Sequence, residues 1–157
     1  MEPARNSIIP ARGEWPVAAL SLLLALFVFR VVAQLVQRFW PTPLLPPFEA
    51  WHSATLPYPV LVGSQVIIIL LVVHQIAQIS RRRMKPKRRV GATLLALGAL
   101  YMTGAAFRLL SGMTFLAHLP FFNAPLPSLL HMVLAGIVLT LGDFNFRGAI
   151  EETAARP

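Results

Sequence analysis

An all-α integral membrane protein, folded as a four-transmembrane-helix bundle with both termini on the cytoplasmic side (N-in/C-in), is the fold class this sequence predicts. Three observations carry it. The 157-residue chain is 56% hydrophobic and only 13% charged, with mean hydropathy +0.65, a balance that belongs to polytopic membrane proteins. Four apolar segments, about 16–39, 58–79, 90–115 and 128–146, each approach the roughly 20 residues a helix needs to cross about 30 Å of hydrocarbon. The cations are clustered: "RRRMKPKRR", Arg81 to Arg89, holds seven of the fourteen Lys and Arg residues. Backbone groups in lipid need partners within their own segment, so continuous apolar runs are helices; a barrel would show alternating segments of about ten residues.

The first segment follows Arg5 and Arg12, has its apolar core from Val17 to Phe29, and carries "VVA" before Gln34. That is also the form of a secretory signal peptide; we read it as the first span, opened by Pro16 and ended by "PTPLLPP". The connection to the second span, "WPTPLLPPFEAWHSATLPYP", is rich in Pro and aromatics and holds no Lys or Arg. Trp40, Phe48, Trp51 and Tyr58 suit an interfacial belt, with a short interfacial helix around Phe48 to Ala54. Pro57 and Pro59 open the second span.

The basic loop 80–89 is cytoplasmic under the positive-inside rule, and Pro86 helps it turn. The third connection, "AHLPFFNAPLP", again lacks Lys and Arg and faces outside, and Pro125 and Pro127 open the fourth span. One N-in and C-in threading satisfies every loop, in a single membrane domain covering 1–157 of a bacterial-type inner membrane. Gly98, Gly104, Ala105 and Ala106 on the third span and Ala135, Gly136 and Gly142 on the fourth are small residues of the kind that let helices approach in lipid. They pack the two spans together or offer a face to another protein. Asp143 in "LGDFNFRG" is expected to end the fourth helix, pairing with Arg147 at i+4.

Charge and composition exclude several classes. The net charge is +8, but a basic loop beside two spans is what orientation and anionic headgroups require, so Arg81 to Arg89 is assigned to membrane lipids. No interleaved aromatics or reader motif point to nucleic acid. There is no cysteine, which removes disulfides and thiolate metal sites. Asp143 is the one acid within the spans, which disfavours a carboxylate-driven proton-coupled transporter. No nucleophile elbow, phosphate-binding glycine loop or Ser–His–Asp order is present.

The remaining polar residues gather at one depth. Arg30 lies about 21 Å from Pro16 along the first helix, and Arg108 about 27 Å from Val90 along the third, both in the outer part of the membrane. Arg30, Gln34 and Gln37 share one helix face; Tyr101, Gly104 and Arg108 form a second stripe. Ser64, Gln65, Ser111 and His131 also fall in the outer half. Either these groups satisfy one another between helices, or they form an outward-facing pocket. In that pocket Arg30, Gln34, Gln65 and Arg108 bind a ligand, the arginines holding a lipid phosphate or carboxylate.

Glu49 and His52, three residues apart, and His131 are weak candidates for catalytic acid–base groups; His52, His118 and His131 are weak candidates for metal ligands. One bis-His haem between His74 and His131 is disfavoured, because His74 lies about 22 Å below the outer surface and His131 about 6 Å. His74, near the inner end with Gln75 and Gln78, is expected to line a helix contact or reach headgroups. The leading functional expectation is a non-enzymatic lipid- or cofactor-binding component, or a small subunit of a membrane complex. A membrane-embedded enzyme acting on lipid or isoprenoid at the outer leaflet is the alternative. A small transporter is third.

Overall fold

The computed structural model describes residues 14–51, 57–119, 121–122 and 125–154. The described chain is all helical: α1 (Glu14–Phe39), the single turn α2 (Phe48–Trp51), α3 (Tyr58–Ser80), α4 (Arg88–Met113) and α5 (Pro125–Ala154). The four longer helices are each long and apolar enough to cross a membrane. Their large apolar side chains, among them Leu22, Phe29, Leu70, Leu100 and Leu110, are mostly exposed. Water would penalise such a surface, whereas hydrocarbon accepts it. The architecture is consistent with a membrane-embedded protein.

α4 and α5 form the most extensive pair, α5 also packs on α1, and α1 packs on α3. The order across the bundle is therefore α3, α1, α5, α4. Leu20, Val72, Ile79 and Ile137 form one buried cluster along it, and Phe27, Val31 and Leu130 a second. Glycine explains the tight α4–α5 pair. A Cβ at Gly91 would lie 2.4 Å from the Phe146 backbone nitrogen, one at Gly142 would lie 2.9 Å from the Leu95 nitrogen, and one at Gly98 would strike the Leu139 side chain at 2.9 Å. Gly136 faces Leu23 of α1 instead, and a Cβ at Gly104 would meet nothing within 4 Å.

Two boundaries differ from the sequence expectation. α5 runs to Ala154, so Asp143 does not end it; Asp143 and Arg147 do form an ion pair, at 2.6 Å, on a helix that continues. At 30 residues α5 is about 45 Å long and overshoots a bilayer core of about 30 Å. A short helix is present where one was expected, as Phe48–Trp51, and its expected continuation to Ala54 lies outside the described residues.

The basic segment is tied down at both ends. α3 closes with Arg82 N–H donating to the Ile79 carbonyl and Arg83 N–H to the Gln78 carbonyl, each at 2.9 Å. These are the two bonds of a Schellman cap. Arg82 fills its left-handed position, at φ 53°. Beyond it, buried Asn145 of α5 accepts the Lys87 N–H at 3.3 Å and donates to the Leu141 carbonyl at 2.8 Å.

Candidate functional site

Polar side chains near the end of the bundle opposite the basic segment fall into two groups. The first is built on α1. Arg30 donates to the Gln34 Oε1 and to the Trp51 carbonyl at the end of α2, a carbonyl that one-turn α2 has no helical partner for. Gln65 of α3 donates to the same Gln34 oxygen at 3.4 Å. One turn on, Gln37 donates to the carbonyls of Thr42 and Leu45, both at 3.2 Å, and accepts the Thr42 N–H at 2.9 Å. Trp51 closes the loop on itself through its indole N–H to the Pro46 carbonyl, 2.8 Å.

The i, i+4, i+7 polar face read from the sequence thus pins the Pro-rich connection onto the helix ends. Arg30 is 9% exposed and Gln34 1%, and none of the described carboxylates pairs with this arginine. Arg30 Nε and Gln34 Nε2 are buried without an acceptor, so the group is rich in donors.

The second group lies between α4 and α5. A groove of about 820 Å³ runs between these helices, with Leu94, Leu97, Leu100 and Val138 along its apolar length. Tyr101, Gly104 and Arg108, the stripe expected from i, i+3, i+7 spacing, all line it. His131 of α5 joins them, its Nδ1 sharing a hydrogen bond of 2.6 Å with the Tyr101 hydroxyl, with the rings edge-on at 5.7 Å. At the groove's end Arg108 stacks on Phe121, 4.1 Å from guanidinium to ring centre, and donates Nε to the Phe121 carbonyl at 3.1 Å. Its Nη2 is buried with no partner. His131 lies within electrostatic range of both Arg108 and Arg30, on the helix that separates the two groups.

The structure therefore brings Arg30, Gln34 and Gln65 together and places Arg108 in the groove with Tyr101 and His131. Glu49 is exposed on α2, His118 is exposed in the turn after α4, and His52 lies outside the described residues. Among the described residues no cluster of three or more His, Asp or Glu could hold a metal ion. His74 is exposed on α3 and bonds Gln78 at 3.4 Å, so within this chain it lines no helix contact.

Sequence reasoning missed the Tyr101–His131 pair. The i, i+3, i+7 stripe places Tyr101 on a face of its own helix, but spacing does not say which residue of another helix that face meets. It also missed Phe121 over Arg108, a contact made by a loop folding back, which helical spacing does not encode.

Fold and site together define a class: a four-helix protein consistent with a bilayer setting, with an apolar interhelical groove that ends in an arginine. Comparison with protein-family models, with curated proteins and with solved structures finds no match.

Proposed function

We propose that the protein is a non-enzymatic integral component of a bacterial-type inner membrane that holds an anionic lipid at a site opening toward the outer face. In this reading both termini and the exposed basic segment Arg81 to Arg89 are cytoplasmic, and that segment meets anionic headgroups. The single observation that carries the proposal is Arg108. A guanidinium with a buried, unpaired N–H, held by Phe121 at the end of an apolar groove, matches an acceptor-bearing head above a hydrocarbon chain.

Arg30 serves the site from the far side of α5. Its bonds to Gln34 and the Trp51 carbonyl fasten the α1–α3 connection, and its uncompensated charge adds to the field that favours an anion. Support for an enzyme is thinner. Glu49 is exposed, and the Tyr101–His131 pair has no carboxylate to orient it among the described residues.

The test is native mass spectrometry of protein extracted in a gentle detergent. The wild type is expected to carry a bound anionic lipid. Arg108→Gln is expected to lose it, in line with the ten- to hundredfold that a charge-assisted hydrogen bond is worth, about 1.5–3 kcal/mol. Wild-type protein free of lipid, or equal lipid recovery from the variant, contradicts the proposal.

A further inference from the structure

The groove has a length, and that length bears on which lipid fits. From Leu94 to Arg108 it follows α4 for fourteen residues, about 21 Å at roughly 1.5 Å per residue. One leaflet contributes only about half of the roughly 30 Å core, so about 15 Å is the depth an ordinary acyl chain occupies. A chain headed at Arg108 and filling the groove to Leu94 passes the bilayer midplane. The track is a single one, walled by two helices. Along it, below Arg108, the Tyr101 hydroxyl and His131 Nδ1 are hydrogen-bonded to each other. An apolar chain can cover that bond without breaking it.

Gly104 sits on this track with open space where a side chain would be. Gly91 and Gly98 of α4 and Gly142 of α5 are consumed by the close α4–α5 contact; Gly104 is not, and its missing side chain is what widens the groove just below Arg108.

Resting on the lipid-binding reading above, we infer that the groove between α4 and α5 takes a lipid monophosphate with one chain longer than a leaflet. In chemical class this is a polyisoprenyl phosphate. The phosphate lies at Arg108 Nη2, and the chain runs past Gly104 and Tyr101 toward Leu97 and Leu94. A phosphate offers acceptors to the guanidinium edge left free once Nε is engaged by Phe121. The positive charge of Arg30, across α5, adds to the attraction for the phosphate.

The experiment uses full-length protein in vesicles of zwitterionic phospholipid, with a polyisoprenyl monophosphate carrying a photoreactive group at its tail end as the probe. Labelling is expected on α4 and α5 near Leu94 and Leu97. Unlabelled probe should compete, whereas the parent polyisoprenol, a chain-shortened isoprenyl phosphate and a two-chain anionic phospholipid should each compete at least about tenfold less well. Gly104→Leu, whose Cβ would meet nothing within 4 Å and whose side chain takes up groove space, should cut labelling about tenfold or more while leaving thermal unfolding at or above wild type. Gly63→Leu, at an equally open glycine on α3, should leave labelling unchanged.

Labelling elsewhere, equal competition by the alcohol or the two-chain lipid, or full labelling of Gly104→Leu overturns the inference. If the two-chain lipid competes best and Gly104→Leu still blocks it, the lipid-binding reading stands and the long-chain inference falls. If wild type labels with nothing, both fall.

Discussion

Gly91→Ala and Gly104→Ala are chemically identical changes on one helix, and the structure assigns them opposite signs. At Gly91 the added methyl would lie 2.4 Å from the Phe146 backbone nitrogen and 2.7 Å from its Cα. These are backbone atoms, with no rotamer to swing away. To reach an ordinary separation of about 3.5 Å, α4 and α5 must part by roughly 1 Å at this level. Forcing atoms into a filled contact costs about 1–3 kcal/mol, opposed by the helix-propensity gain of about 1 kcal/mol on replacing glycine by alanine. The net is a loss of up to about 2 kcal/mol.

At Gly104 nothing lies within 4 Å of the new methyl, so the propensity gain stands alone, up to about 1 kcal/mol. The two variants should differ by about 2 kcal/mol, or roughly 4–8 °C in melting midpoint at about 2–4 °C per kcal/mol for a chain of this size. Thermal unfolding of both in the same detergent, followed by circular dichroism, measures the difference. Gly91→Ala melting at or above Gly104→Ala would refute the close α4–α5 approach on which the groove's shape depends.

Two further substitutions probe the lock at the basic segment. Arg82 occupies a left-handed position at the end of α3; Arg82→Gly should raise stability by up to about 1 kcal/mol and Arg82→Val lower it by about 1–2 kcal/mol, read from the same melts. Asn145→Leu strips the Lys87 N–H of its acceptor and places a branched side chain in a buried position, so a loss of about 1–3 kcal/mol is expected, with faster amide exchange confined to the start of α4.

Helix number and the approximate span limits were legible because hydropathy and proline placement act locally, and lipid removes every alternative to helix for a continuous apolar run. The Arg30, Gln34, Gln37 face and the Tyr101, Gly104, Arg108 stripe were legible for the same reason: periodicity fixes which residues share a helix face. What spacing does not contain is the order of helices across the bundle. α5 lies between α1 and α4, which puts Arg30 and Arg108 on its opposite sides rather than side by side in one cleft. The roles of the glycines were hidden likewise. Gly98 and Gly104 look equivalent in "LGALYMTGAA", yet one is buried against Leu139 and the other opens the groove, a distinction set by how α4 is rotated against its neighbour.

The claim on which the rest depends is that the arginine-bearing end of the bundle faces outward and the basic segment inward. The chain has no cysteine, so single cysteines report without background. Leu44→Cys, at a position 91% exposed in the α1–α2 connection, and Lys85→Cys, exposed in the basic segment, are treated with a membrane-impermeant maleimide in intact spheroplasts. The account predicts that position 44 is blocked at once and position 85 only after permeabilisation. Labelling of position 85 in intact spheroplasts, with position 44 protected, contradicts it and places the groove's arginine at the cytoplasmic face.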